Sequence, residues 1–308
     1  MIRAYMVLVS IGAAWAFTIP LTRVIAQTGA EPLGLIFWQL LIMVVVLSGI
    51  LAVQKRPFPP LGRHFSLLLG IALLGTVIPN TFSYLAARHL PAGIMAIVIS
   101  MVPLFGLPIA LALGFERVEV RRFAGVALGA VAMVLIAGPE ASLPEGTKAI
   151  WVLIALLAPL CYGCEGNFLT WRGSDGLHPL QMLWGASVVG LVLALVLSVA
   201  TGTWFALSLQ PGVLEGALIT NTVLHVVAYT GYLWLVTQAG PVFSSQVAYV
   251  VTSFGVVFSM LLLGERYALW IWAALALSLI AIALVQPRDP GSAKGSAAPA
   301  NSGSSQKG

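Results

Sequence analysis

Charged residues are scarce in this chain of 308 residues: they make up 8% of it, whereas 59% of the residues are hydrophobic. Such a composition cannot form a water-soluble globule, because too few polar side chains are present to cover the surface. Cysteine is scarce as well, and two cysteines exclude a disulfide-rich secreted scaffold. Lipid is therefore the predicted environment of most of the chain.

Common catalytic motifs are missing too. The sequence has no Gly-x-Ser-x-Gly, no His-Glu-x-x-His and no glycine-rich phosphate loop with a lysine, so we predict neither an enzyme nor a bound metal or cofactor. The net charge of +5 comes from scattered basic residues rather than one patch, which argues against nucleic acid. One alternative remains, an intramembrane enzyme or redox protein that uses the spacing Cys161-x-x-Cys164.

Long apolar runs are what the sequence has in abundance. A membrane-spanning helix needs about 20 predominantly apolar residues. Ten runs approach or reach this length, which predicts an all-α integral membrane protein with ten transmembrane helices. Residues 287–308 contain no large apolar side chain and are predicted to be a disordered cytoplasmic tail. The predicted spans are 4–24, 33–53, 65–86, 92–113, 122–137, 149–170, 179–200, 212–236, 242–263 and 268–285.

The distribution of basic residues predicts the orientation, because basic loops resist translocation across the membrane. With the N-terminus in the cytoplasm, most of the 15 lysines and arginines fall in inside segments. We therefore expect both termini to be cytoplasmic. The outside segments contain Arg23, Arg88, Lys148 and Arg266.

A shift of about 147 to 149 residues superposes similar features of the two halves, which indicates an internal duplication. Residues 1–141 and 142–286 are the two predicted repeats. Because each has five helices, an odd number, the second is predicted to be inverted in the membrane. Such a pair of repeats favours alternating access to a site near the bilayer midplane. The matched pairs are Trp15 with Tyr162, Pro32 with Pro179, Tyr84 with Tyr232, and Glu116-Arg117 with Glu265-Arg266.

Two segments resemble the helix, Gly-Glu-Arg turn and helix that close each repeat of the EamA family in the drug/metabolite transporter superfamily. They are MVPLFGLPIALALGFERVEVRRFAGVALGAVAMVLIAG and VTSFGVVFSMLLLGERYALWIWAALALSLIAIALV. The resemblance implies secondary transport across the inner membrane, frequently export, of amino acids, amines or related metabolites. The chain departs from the family pattern early in the second helix. It reads Ile36-Phe37-Trp38-Gln39 where members often carry a basic residue, and Trp38 is included among the candidate binding residues.

Glu165 is the carboxylate nearest the middle of a predicted span, and ionisable groups are expensive at that depth. It shares a helix face with Tyr162, and the repeat shift brings Trp15 and Thr18 opposite these two residues. We expect Glu165 to bind a substrate ammonium or to take up a proton. The alternative is a structural carboxylate held by Asn167 or a neighbouring hydroxyl group.

Further aromatic and polar residues share helix faces and are predicted to line the substrate pathway. Ring faces attract cations, so these residues suit a small cationic or zwitterionic amine. The expected partners are thus a small-molecule substrate, with protons as a second candidate, and the lipid bilayer. Small residues such as Gly125 and Gly129 are assigned to helix packing instead, and the two Glu-Arg pairs to salt bridges at helix ends. The lining candidates are Asn80 with Tyr84, His225 with Tyr229 and Tyr232, and Tyr249 with Gln246 and Ser253.

Overall fold

The computed structural model describes residues 2–138, 149–208, 210 and 212–286. The chain is helical in these residues and contains no strand there. The first half holds α1 (Ile2–Gln27), α2 (Pro32–Val53), α3 (Phe65–Ala87), α4 (Ala92–Ala112) and α5 (Val120–Ala137). The second half holds α6 (Ile150–Arg172), α7 (Pro179–Ala200), α8 (Val213–Ala239), α9 (Val247–Leu263) and α10 (Leu269–Val285). The predicted tail, 287–308, lies outside the described residues.

Eight of these helices, α1 to α8, are long and apolar enough to cross a membrane. α9 and α10 are apolar but have 17 residues each, so ten crossings stay a prediction. Large apolar side chains such as Val192, Val196 and Val199 are exposed on the surface of the bundle. This is the surface that a lipid environment requires and that water penalises.

The predicted span 242–263 is not one continuous helix. A four-residue helix, Pro241–Ser244, is followed by a turn, and only then does α9 begin. The Ser244 hydroxyl donates a 2.8 Å hydrogen bond to the carbonyl oxygen of Gly240. The same kind of bond is made by Thr252 and Ser259 inside the continuous α9, so this bond alone does not account for the interruption.

The beginning and the end of the described chain lie on the same face of the bundle. Successive helices of a half are joined by short connections and alternate in direction, so α1 and α5 start on the same face. At the start of α5, Arg121 donates to the carbonyl oxygen of Ala283 near the end of α10, at 2.6 Å. We call this the terminal face. On the opposite, far face, the His89 ring after α3 stacks on Trp151 at the start of α6, with centroids 3.7 Å apart.

Helix packing follows a two-fold pattern. α1 packs against α8 and α9, and the corresponding α6 packs against α3 and α4. The pairs α2 with α7 and α5 with α10 join corresponding helices of the two halves. Exchanging each helix with the one five places along therefore reproduces these contacts, as expected of a two-repeat architecture.

Not every contact follows this pattern, and the contact between α1 and α4 is one that does not. α4 is interrupted at Ser100 and Met101, because Pro103 cannot donate a hydrogen bond to the carbonyl oxygen of Ile99. The segment before the interruption packs against α1, α6 and α9, and the segment after it packs against α5 and α6. Among the described residues, α6 makes no comparable contact with α9. The bundle is thus more tightly closed toward the far face than toward the terminal face.

The predicted small-residue packing is confirmed for Gly125, and it generates a stability test. A Cβ at Gly125 would lie 2.7 Å from Val285 Cγ2 and 2.9 Å from the Ala281 carbonyl oxygen of α10. We expect Gly125→Ala to lower the free energy of unfolding by roughly 1–3 kcal/mol, because overpacking forces the two helices apart. Thermal unfolding of the purified protein in detergent measures the change.

Gly49→Ala is the matched control. A Cβ at Gly49 in α2 would meet nothing within 4 Å, so the same substitution should leave stability unchanged or raise it by up to about 1 kcal/mol through helix propensity. Equal effects of the two substitutions would contradict the packing role of Gly125.

Candidate functional site

A widened turn in the middle of α3 forms one wall of the candidate site. Leu73–Val77 is π-helical, and the Ile78 N–H donates to the carbonyl oxygen of Leu73 five residues earlier. Pro79 has no N–H to donate to the carbonyl oxygen of Gly75, which explains why the regular helical ladder fails here. Single π-helical turns occur frequently at functional sites.

The Glu165 side chain of α6 points at this turn. Its carboxyl group occupies the space that a side chain on Gly75 would fill. The structural role considered for Glu165 is not supported by Asn167, whose amide donates to the carbonyl oxygens of Gly106 (3.0 Å) and Gly163 (2.8 Å) instead. Within the described part of the chain, no group donates a hydrogen bond to the Glu165 carboxyl group. Its acceptor oxygens are therefore available to a ligand or a proton.

A chain of amide and hydroxyl groups extends from Glu165 toward α2. Tyr162 lies one turn before Glu165, and its hydroxyl donates to Asn80 Oδ1 at 3.5 Å. Asn80 Nδ2 and the Tyr84 hydroxyl both donate to Gln39 Oε1, at 3.3 and 3.2 Å. Gln39 and Tyr84 are buried. The network holds the rim of the site in place, since its buried polar groups satisfy one another.

An aromatic cluster is formed by α1 of the first half and α8 of the second. The Trp15 ring meets His225 edge-on with centroids 5.5 Å apart, and Tyr232 in the same manner at 6.2 Å. Tyr229 of α8 lies within electrostatic range of the Glu165 carboxyl group. The residue beside Glu165 is thus Tyr229 of α8, and the predicted approach of Trp15 and Thr18 to Tyr162 and Glu165 across the repeat axis stays a prediction.

Thr18 is part of the contact between α1 and α8. Its hydroxyl donates to the carbonyl oxygen of Trp15 at 2.6 Å, and its own carbonyl oxygen accepts from Asn221 Nδ2 at 3.0 Å. Thr18 and Asn221 are both buried. In this conformation Thr18 supports the position of Trp15 and contributes no free polar group to the site.

Two further candidates lie away from Glu165. The Trp38 indole N–H donates to the carbonyl oxygen of Phe205 in the α7–α8 connection, at 2.9 Å. Tyr249 lies near the start of α9, within electrostatic range of Arg121 at the terminal face. The structure thus brings Glu165, Tyr162, Asn80, Tyr84 and Tyr229 together, and it places Trp38 and Tyr249 elsewhere.

Sequence reasoning missed Gln39, Asn221 and Gly75 as parts of this region. A signal existed for the two amides, because each is an isolated polar residue within an apolar run. Gly75 gave no signal of its own, since its role depends on the π-helical turn and on Glu165 across the helix interface.

The family model described as EamA-like transporter family matches residues 2–138 and 149–286. The chain belongs to the EamA-like transporter family. The two matches cover both halves of the bundle, which agrees with the two-repeat architecture of EamA proteins. The chain is accordingly a membrane protein of a transporter family, and the family points away from an enzyme.

Individual relatives agree with membership of the EamA family. The chain is 25% identical over 244 residues to the protein named uncharacterized inner membrane transporter YedA of Escherichia coli K12, over 78% of this chain and 77% of YedA. The YedA of Escherichia coli O157:H7 gives the same values. A solved structure titled "Crystal structure of protein" is 14% identical, with a TM-score of 0.61 over 92% of this chain and 97% of that one. This last likeness shows the fold alone.

The Gln39 network can be tested by a double-mutant cycle. Gln39→Leu should lower the free energy of unfolding by about 1–3 kcal/mol, because the buried Tyr84 hydroxyl loses its acceptor. Adding Tyr84→Phe removes the stranded hydroxyl, so the two substitutions together should cost less than the sum of their separate effects, with a coupling of roughly 0.5–3 kcal/mol. Thermal and denaturant unfolding of the four proteins measure this coupling. Strictly additive effects would show that Gln39 and Tyr84 do not act together.

Proposed function

We propose that the protein is a secondary active or facilitative transporter that moves small polar metabolites, such as amino acids or amines, by alternating access. Its substrate carries an ammonium group, and export is the proposed direction. The proposal joins membership of the EamA-like transporter family to the properties of one carboxylate inside the bundle.

The observation that carries the proposal is the Glu165 carboxyl group, which faces a widened helical turn and has no hydrogen-bond donor among the described residues. Tyr162 and Tyr229 lie within electrostatic range of it. A carboxylate beside aromatic rings attracts a cation through charge and through the ring faces together. The same oxygens can accept a proton once the substrate leaves, which provides a route for coupling to a proton gradient.

Unequal packing at the two ends of the bundle supports alternating access. The first segment of α4 packs against α1 and α9 near the far face, and α6 makes no comparable contact with α9 in the described chain. In a protein of two matched repeats, the first half can adopt the arrangement of the second and the second that of the first. This exchange would close the terminal face and open the far face. The conformation described is then the one open toward the terminal face.

The proposed location is the inner membrane, with the terminal face in the cytoplasm. Connections at the terminal face carry more arginine and lysine than those at the far face, including Lys55, Arg56 and Arg63 before α3, as cytoplasmic loops do. The name of the YedA relatives includes an inner-membrane location, which agrees with this proposal.

Removing the Glu165 charge tests the function directly. A thermal-shift screen of the purified protein against amino acids, polyamines and quaternary amines first identifies a ligand, because binding to the folded form raises its apparent stability. Glu165→Gln should weaken binding and flux of that ligand in proteoliposomes by roughly thirtyfold or more, since loss of one partner of a buried charge pair costs about 2–5 kcal/mol.

Glu119→Gln is the matched control, because it removes a carboxylate that is exposed between α4 and α5. It should leave binding and flux at the level of the unmodified protein. Unchanged binding, flux and pH dependence in Glu165→Gln would exclude Glu165 from the transport mechanism.

The alternative function, redox or enzymatic chemistry at Cys161 and Cys164, makes an opposite prediction. Both residues are free, half-buried thiols in α6. Replacing both with alanine should leave flux within about twofold, because buried cysteines act as small apolar packing residues. Flux in proteoliposomes under reducing and oxidising conditions measures this. Loss of flux in a folded double variant would favour the alternative.

A further inference from the structure

Four hydrogen-bond donors converge on the carboxylate of Glu265 at the far face. Oε1 accepts from Arg23 Nη1 at 2.5 Å and from the Ala92 N–H at 2.8 Å. Oε2 accepts from the Gly93 N–H at 3.1 Å and from the Tyr267 hydroxyl. The donors come from the last turns of α1, the first turn of α4 and the connection that leads into α10. One side chain therefore ties together segments that are far apart in the sequence.

The surroundings of Glu265 make this arrangement strong. Its side chain is 8% exposed, and that of Arg23 is 20% exposed, so solvent screens the ion pair only partly. The N–H groups of Ala92 and Gly93 belong to the first turn of α4, where a helix has no acceptors of its own. A carboxylate at this end also interacts favourably with the helix dipole. Glu265 therefore caps the N-terminus of α4, although it belongs to the connection between α9 and α10.

Tyr267 completes the cluster. Burial, and after it the hydrogen bond to Glu265, raise the pKa of Tyr267 well above its usual range, so the hydroxyl stays protonated and donates. A Cβ on Gly93 would collide with the Tyr267 hydroxyl. The absence of a side chain at this position of α4 is what allows Tyr267 to reach the carboxylate.

Glu116, the counterpart of Glu265 in the first half, makes a looser arrangement at the terminal face. Its carboxylate pairs with Arg122 at 2.7 Å, six residues along the same stretch of chain, and its side chain is 38% exposed. Glu116 itself contacts only this nearby residue, and it reaches α10 indirectly, through the 3.1 Å hydrogen bond from Arg122 to the Val285 carbonyl oxygen. This difference matches the tighter packing near the far face.

We propose that Glu265 is a latch that holds the far-face ends of α1 and α4 closed, and that each transport cycle must break its contacts with Arg23, Ala92 and Gly93. The latch rests on the proposed alternating-access function and adds a positioning residue to it, since Glu265 does not touch the substrate. Neutralising the carboxylate shifts the population toward the conformation open at the far face.

The solvent accessibility of position 19 shows whether the latch is closed. Ile19 lies two turns before the end of α1, is 8% exposed, and packs where α1 meets Gly255 of α9. A cysteine at this position should react slowly with a membrane-impermeant maleimide while the far face is closed. Leu47 of α2, which is fully buried in a cluster with residues of α7 and α8, provides a second reporter that responds only to general loosening of the bundle.

The experiment places Ile19→Cys or Leu47→Cys in a background with Cys161→Ala and Cys164→Ala, in lipid nanodiscs where both faces meet water. Adding Glu265→Gln should raise the labelling rate at position 19 by roughly tenfold, because a minor open state of a few per cent becomes a major one. The rate at position 47 should not change. Glu116→Gln, the matched control, should leave both rates unchanged.

Three results would overturn the latch: an unchanged rate at position 19 in folded Glu265→Gln, an equal rise at both positions, or the same rise with Glu116→Gln. If Glu265→Gln does not fold, Arg23→Gln and Tyr267→Phe replace it. Each removes one donor and must raise the rate at position 19. Labelling requires no substrate, so opening without any measurable flux would support the latch and contradict the transport function. Measurable flux without a rise in labelling at position 19 would support the transport function and contradict the latch.

Discussion

The protein depends on a single constraint: in a bilayer, every backbone N–H and C=O group must find a partner within the protein. The long α-helices satisfy this constraint one turn at a time, and an interruption is tolerated where other protein atoms surround it. The π-helical turn of α3 and the break in α4 each lie in a helix that packs against α6. The helix that carries Glu165 is therefore flanked by the two least regular helices of the first half.

Proline produces both irregularities, but with different results. Pro79 widens a turn of α3 and leaves the helix continuous, whereas Pro103 follows a real break in α4. The widened turn brings Gly75 to the Glu165 carboxyl group. Both segments of α4 pack against α6, but the segment before the break also packs against α1 and α9, and the segment after it also packs against α5. Thus α3 shapes the candidate site, whereas α4 makes different helix contacts toward the two faces of the bundle.

Much of the fold could be predicted from the sequence, because apolar runs of membrane length leave the chain few alternatives. The repeat shift also indicated which helices correspond, and the packing of α1 with α8 and of α6 with α3 follows that correspondence. The interruption before α9 was not predicted. Hydropathy is averaged over a window of membrane length, so it is insensitive to a turn of two residues within the span.

The candidate site was predictable in part. Glu165 and Tyr162 were identified because a carboxylate and a phenol on one helix face are conspicuous in an apolar run, and Tyr84 because it matches Tyr232 across the repeats. Gln39, the hydrogen-bond partner of Tyr84, could not be deduced. Sequence periodicity shows which residues share a face of one helix, but it does not show which residue of α2 meets which residue of α3. Trp38 was included for its position relative to the family pattern, yet its indole group is committed to the backbone of Phe205.

The π-helical turn also fixes the rotation of everything that follows it in α3. A π turn accommodates one more residue than an α-helical turn, and each residue rotates the helix by about 100°. Asn80 and Tyr84 come after the extra residue and face Tyr162 and Gln39 because of it. Deleting one residue from 73–77 would rotate Asn80 and Tyr84 by about 100° about the helix axis and turn both side chains away from these partners. A change of length by a single residue in this turn would therefore redirect every side chain that follows it in α3.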